Sequence, residues 1–279
     1  MKLNKSFGKE VLKLKSKDVI SDEESIIKEL GKLLIKSVDK RVKCKTGIAF
    51  SGGVDSSLLA LICDKLGKDF VLYSVGLKNS EDLRWAERVT KEYKWRWKSF
   101  LIGEKEAEEI IKKVVQTIPN KDVVNVGVGC VVYKVLEMCK NDKIKNVLGG
   151  LGSEELFAGY ERHKGDIFEN CWKGLENTYE RDLKRDLALG KYFGIELLCP
   201  YLDKNVIEYS MKIDPKLKIK GDIKKYILRR VAFNIGLRKE FSFRPKKAAQ
   251  YGSKFDSFLD KLARRNGFKY KKDYLITLE

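Results

Sequence analysis

The sequence predicts an α/β fold: a doubly wound, mainly parallel sheet with a helical carboxyl-terminal part. Three observations carry this. Short apolar runs alternate with stretches of helical periodicity over roughly the first 150 residues, the pattern of strands joined by crossover helices. Two of those runs lead directly into glycine-rich turns, Ser51-Gly52-Gly53-Val54-Asp55 and Gly149-Gly150-Leu151-Gly152-Ser153, and such sheets bind ligands beyond the carboxyl ends of their strands. The 279 residues are 43% apolar with only four prolines. That suffices for a substantial core in one or two domains and argues against disorder.

The elements follow in order. Residues 1–20 are basic and weakly patterned. Ser21 opens a capping box with Glu24. Ile26, Ile27, Leu30, Leu33, Leu34 and Val38 then recur at helical spacing, which predicts a helix from about 22 to 40. Gly47-Ile48-Ala49-Phe50 is a first strand. Leu58, Leu59, Leu61, Ile62 and Leu66 mark a helix closed by Gly67. Residues 70–75 form a second strand, and Ser80 caps a helix with Glu81 and Asp82 in its first turn. A third strand near 95–101, helices near 104–116 and 127–140, and a fourth strand near 145–149 continue the alternation. Residues after 154 read as mostly helical, with no internal repeat.

Composition excludes several functions. No apolar run approaches the ~20 residues that span a bilayer, and the start Met1-Lys2-Leu3-Asn4-Lys5 has no signal-peptide core. A cytoplasmic protein without a membrane partner is expected. A single histidine, His163, rules out sites built on several histidines; in its charged segment it reads as a surface residue. The net charge of +18 has two readings. One is a heat-adapted, Lys- and Glu-rich surface poor in glutamine; the other is a basic face for RNA. None of the six cysteines forms a C-x-x-C pair, so a zinc ribbon is not indicated. Cys63 and Cys130 lie in apolar runs and read as buried. Trp85, Trp95, Trp97 and Trp172 read as packing residues.

The first glycine-rich turn carries the chemistry. Gly52 and Gly53 let the backbone turn sharply and approach a ligand. The free N–H groups there and at the start of the next helix favour an anion. Ser51, Ser56 and Ser57 add hydroxyls. Asp55 beside an anion site makes sense if a divalent cation lies between them. The Walker A pattern is absent. The pattern S-G-G-x-D-S instead resembles the PP-loop of ATP pyrophosphatases; a tight strand–helix turn with incidental serines is the structural alternative.

The second turn narrows the resemblance. Residues 149–160, Gly-Gly-Leu-Gly-Ser-Glu-Glu-Leu-Phe-Ala-Gly-Tyr, resemble the S-G-E-G-S-D-E-L-F-G-G-Y signature of asparagine synthetases. Pro200-Tyr201-Leu202-Asp203 looks like that family's P-F-L-D, Lys225-Tyr226-Ile227-Leu228-Arg229 like its K-x-x-L-R, and Arg244-Pro245-Lys246 with Gly252 like its R-x-K segment. Order and spacing agree over roughly 45–255. The chain therefore resembles the synthetase domain of this family, and of the related β-lactam synthetase, on an adenine nucleotide alpha hydrolase-like fold. The expected division is a basic segment with one helix over 1–45, the synthetase-like domain over 46–255, and a basic, solvated tail over 256–279.

The resemblance implies roles. Ser51, Gly52, Gly53, Asp55, Ser56 and Ser57 would hold the phosphates of ATP. Val75 and Gly76 would line the adenine pocket, and Gly150 would approach the nucleotide. Asp55 and Glu154 would bind Mg²⁺. Lys246 would stabilise charge on the α-phosphate or on the tetrahedral intermediate. Competing structural readings stand beside these: Glu154 and Glu155 as acids in a helix's first turn, Lys246 as solvated surface, Asp203 as a helix cap, Arg229 as an ion-pair partner.

Three departures from the family pattern matter. Lys2 stands where the glutaminase nucleophile of that family follows the initiator Met, so release of ammonia from glutamine by that route is not expected. Leu151 replaces the acid of S-G-E-G, and Glu154 replaces an aspartate. The expected activity is an AMP-forming ligase that adenylates a carboxylate or amide oxygen and passes it to ammonia or another amine, with a separate glutaminase subunit as one source. The alternatives are a PP-loop enzyme acting on tRNA, with Cys130 and Cys199 open as its cysteines, and a non-catalytic nucleotide-binding protein.

Overall fold

The computed structural model describes residues 2–245 and 248–278. Five strands build the main sheet: β1 (Thr46–Ala49), β2 (Phe70–Gly76), β3 (Trp97–Leu101), β4 (Asn146–Leu148) and β5 (Glu196–Leu198). All neighbouring pairs are parallel, in the order β3-β2-β1-β4-β5. The chain winds outward through β2 and β3, then returns to β4 on the other side of β1. The order therefore reverses between β1 and β4, the switch point at which open α/β sheets leave a crevice. The two glycine-rich turns follow β1 and β4.

The helices before and within this stretch are α1 (Phe7–Leu12), α2 (Glu23–Arg41), α3 (Val54–Lys65), α4 (Glu81–Tyr93), α5 (Glu104–Thr117) and α6 (Val123–Asn141). After β4 come α7 (Ser153–Leu156), α8 (Ile167–Glu176) and α9 (Lys184–Phe193), with a π-helical turn over Tyr179–Leu183. Beyond β5 lie α10 (Lys204–Met211) and α11 (Pro215–Lys218), then a small antiparallel pair, β6 (Ile219–Lys220) with β7 (Ile223–Lys224). The chain continues through α12 (Tyr226–Ile235), α13 (Lys239–Ser242), α14 (Ala249–Gly252), α15 (Phe255–Arg265) and α16 (Lys271–Ile276).

Strand residues alternate between two cores, one on each face of the sheet. Ile48, Leu72, Leu148 and Leu198 pack against α2, α3 and α12. Val71, Tyr73, Val75 and Val147 pack against α5, α6 and α15. Central strands buried on both faces explain why β2 reads as an unbroken apolar run.

Local expectations hold with instructive exceptions. Ser80 caps α4 by accepting from the Leu83 N–H. At α2 the cap is Asp22, which accepts from the Ser25 N–H at 3.2 Å, so the Ser21–Glu24 box does not form. The amino-terminal segment holds two helices rather than one. Strand β5, with three residues, shows no readable period and stands where the sequence reads as helical. The carboxyl-terminal tail is not merely solvated. Arg264, Arg265, Lys269 and Lys272 are exposed, but Phe258, Leu259, Leu262, Tyr274 and Leu275 are buried in the second core. Charged residues on one helix face hide an apolar stripe on the other. Among the described residues no helix is long and apolar enough to cross a membrane.

This packing makes the tail part of the fold. Leu262→Ala is expected to lower the unfolding free energy by about 2–5 kcal/mol, whereas Lys269→Ala should stay within about 0.5 kcal/mol. Urea denaturation of both variants checks the contrast.

Candidate active site

The first turn leaves β1 at Ala49 and enters α3 at Val54. Gly52 has φ +64 and sits against the backbone of Trp85 and Ala86, where a Cβ would lie 2.7 Å from the Trp85 carbonyl carbon. Only glycine fits both the left-handed conformation and that approach. The loop holds itself: the Ser51 N–H donates to Ser56 Oγ at 3.4 Å, and Ser56 Oγ donates to the Gly53 carbonyl at 3.3 Å. Arg244 ties it to the carboxyl-terminal part, donating from Nη1 to the Ser51 carbonyl (2.7 Å) and from Nη2 to Asp82 Oδ1 (3.1 Å). The guanidinium lies 5.0 Å from the Trp85 ring, and Arg88 lies 4.3 Å from the same ring.

The second turn leaves β4 at Leu148 and opens α7. Its Gly150 closes on the first turn: a Cβ there would stand 3.1 Å from Asp55 Cβ. Gly152 adopts φ +93 over the Leu202 side chain. The two turns are thus in contact, and Asp55 and Glu154 converge.

Lys225 stands at their meeting point. Its Nζ lies 2.8 and 2.9 Å from the two oxygens of Asp55, 2.9 Å from Glu154 Oε1 and 3.1 Å from Ser153 Oγ. The side chains of Lys225, Asp55 and Glu154 are only 2%, 8% and 13% exposed. Buried charges persist when paired and hydrogen-bonded, and here one ammonium serves two carboxylates. Tyr201 Oη donates to the Asp55 carbonyl at 3.0 Å and fixes the start of α3 from below.

Arg229 adds a second cation. It is buried, yet its donors meet carbonyls: Nε to Lys224 (2.7 Å) and Nη1 to Ser242 and Arg244 (2.8 Å each). Among the described residues no carboxylate lies within ion-pair distance of it, so the expected ion-pair role is not what the structure shows. Burial draws its pKa down, opposed by the nearby Asp55 and Glu154. A cleft of about 430 Å³ adjoins, floored by Glu154, Lys225 and Arg229 and walled by Tyr160, Glu161 and Lys224.

The remaining predicted residues divide. Gly53 opens α3, and Ser56 is buried beside it. Ser57 Oγ is sealed from solvent with no hydrogen-bond partner, so its hydroxyl does not face the cleft. Val75 and Gly76 end β2, where the Gly76 carbonyl accepts from the Ile102 N–H at 2.9 Å. Leu151 packs against the first core. Asp203 caps α10. Lys246 lies outside the described residues.

Sequence reasoning assigned no part in the site to Lys225, Arg244, Asp82 or Tyr201. For Lys225 a signal existed: a lysine at the start of a helix faces an unfavourable dipole.

The donor set suits a magnesium ion shared with phosphates. Two carboxylates aim at one point, and among the described residues no group of three or more His, Cys, Asp or Glu forms a full protein cage. Few protein carboxylates completed by phosphate and water oxygens is the usual Mg²⁺ arrangement.

The asparagine synthase family matches residues 29–190 and 167–272. The chain belongs to the asparagine synthase family. One relative, from Methanocaldococcus jannaschii and provisionally named a glutamine-hydrolyzing asparagine synthetase, is 35% identical over 285 positions, covering 87% of this chain and 52% of that protein. An asparagine synthetase of Lotus japonicus is 28% identical over 216 residues, covering 70% of this chain and 37% of that one. The chain thus spans about half or less of these synthetases. Among solved structures, a U34-tRNA thiolase of Methanococcus maripaludis with its [4Fe-4S] cluster aligns over 91% of this chain at TM-score 0.44 and 16% identity, a likeness too distant to bear on activity.

Beside the site, His163 is fully buried rather than on the surface. Its Nδ1 accepts from the Tyr160 N–H at 3.3 Å, while Nε2 has no partner. Burial holds the imidazole down at about 4. Because the folded pKa lies below the unfolded value, the unfolded chain binds the proton first. Stability is therefore lost as pH falls from about 6.5 to 4, by up to about 3 kcal/mol. As the chain's single histidine, it gives one imidazole NMR resonance, which should keep its neutral shift down to about pH 5, and His163→Gln should flatten the acid limb of stability.

Proposed function

We propose that the chain is an ATP-dependent, AMP-forming ligase. A carboxylate or amide oxygen of the acceptor attacks the α-phosphorus of ATP, pyrophosphate leaves, and ammonia or another amine displaces AMP. The observation that carries this is the convergence of Asp55 and Glu154, from the two glycine-rich turns, at the switch point of the sheet. Membership of the family supports the ligase class.

Each part of the chain then has work to do. The backbone N–H groups of Gly52, Gly53 and the first turn of α3 bind the phosphates that become pyrophosphate. Ser51 and Ser56 shape that loop, and Arg244 holds it in place. Val75 and Gly76 flank the adenine, and Gly150 leaves room for the nucleotide beside Asp55. Asp55 and Glu154 would hold magnesium, which would supply Lewis-acid neutralisation of the phosphate charge. Lys225 and Arg229 bring positive charge to the phosphates, and Lys246 supplies more where charge develops on the α-phosphate or the tetrahedral intermediate. Leu151 offers no base for the incoming amine, so the amine arrives unprotonated or loses its proton to another group. The donor is free ammonia, a glutaminase partner or a second amine substrate.

The tRNA-modifying reading gains no support at its cysteines. Cys130 and Cys199 are both buried, and burial pushes the Cys199 thiol up to about 12. A thiolate nucleophile needs the opposite environment.

ATP–pyrophosphate exchange with a panel of carboxylic acids tests the proposal. Exchange should appear with the true acceptor and fall by about 10²–10³ in Asp55→Ala and Lys246→Ala. Exchange unaffected by Asp55→Ala would remove the assigned site, and salt-sensitive tRNA binding with a steep log–log slope would shift the reading to RNA.

A further inference from the structure

Asp55 and Glu154 converge on one point, and Lys225 Nζ occupies it at 2.8–2.9 Å from both. We propose that Lys225 is a place-holder for the divalent cation: without nucleotide its ammonium fills the metal position, and the cation binds tightly only together with a polyphosphate that takes over the displaced ammonium. This rests on reading Asp55 and Glu154 as the cation's carboxylates.

The charges require such coupling. The two carboxylates and the ammonium sum to −1, and Arg229 adds positive charge near both carboxylates. Adding a divalent cation while the ammonium stays would bring that sum to +1, with two positive centres a few ångströms apart in a weakly screened interior. Removing the ammonium with no acceptor would strand a buried lysine. A polyphosphate resolves both problems, because it ligates the metal and accepts the ammonium.

The surroundings are built for this exchange. A Cβ at Gly159 would stand 2.5 Å from Lys225 Cε and 2.8 Å from Glu154 Cδ, so the closed arrangement depends on the missing side chain. The cleft of about 430 Å³ is lined by both Lys225 and Glu154 and gives the ammonium somewhere to go. Arg229, bound among the described residues to carbonyls only, lines it as a second cation for the same anion. By linkage, metal and nucleotide must each raise the other's affinity.

Mn²⁺ binding followed by EPR at pH 8 tests this without catalysis. That pH opposes proton uptake by carboxylates left unpaired. In the unaltered protein, Mn²⁺ should bind weakly alone and at least about tenfold more tightly with α,β-methylene-ATP. Lys225→Met should tighten nucleotide-free Mn²⁺ binding by roughly tenfold or more and shrink the nucleotide effect, and adding Asp55→Asn should remove the gain. A folded Lys225→Met that binds Mn²⁺ no better than its parent overturns the proposal. So does an unaltered protein whose Mn²⁺ affinity ignores nucleotide, and that arm decides alone if the methionine variant does not fold. If Asp55→Asn leaves the nucleotide-dependent Mn²⁺ signal intact, the assignment of the carboxylates fails instead.

Discussion

Two buried carboxylates that share the Lys225 ammonium organise this molecule. Asp55 comes from the turn after β1, Glu154 from the turn after β4, and Lys225 from the start of α12. None of the three tolerates burial without the others. Their meeting therefore fixes three distant parts of the chain relative to one another. It also leaves the cluster poised, because a group that must be neutralised internally is one that a charged ligand can rearrange.

The sheet makes that meeting possible. Reversal of strand order between β1 and β4 leaves their carboxyl ends side by side with no connection crossing them. Glycine at 52, 150 and 152 then allows each turn to fold tightly and to touch the other. The helical carboxyl-terminal part closes the site from one side. Arg229 holds the carbonyls of Ser242 and Arg244, and Arg244 in turn holds the Ser51 carbonyl. The segment leading to Lys246 is thus anchored by two arginines, Arg229 through backbone carbonyls and Arg244 through the Ser51 carbonyl and the Asp82 carboxylate. Such anchoring suits a loop that must keep its N–H groups aimed at an anion.

The net charge of +18 is largely a surface property in this structure. Many cations pair with acids across helix faces, as Lys112 with Glu108 and Arg264 with Asp260, and exposed pairs of this kind contribute little to stability. The cations that matter to the site are the few that are buried.

The sequence by itself determined the sheet, its winding and the two loops, because strand burial on both faces and helical spacing are local patterns that survive in composition. It also pointed to Asp55, an acid beside an anion-binding turn, and the family resemblance added Glu154. It did not show that Lys225 sits between them, that Arg229 lacks a carboxylate, or that His163 is buried. It also missed β5 and the apolar face of the tail. The place of Lys225 depends on which segments meet across 72 to 170 residues of chain, and charge pairing at such separations leaves no periodic trace. Only the folded chain decides which lysine, among many, loses its water and takes two carboxylates in exchange.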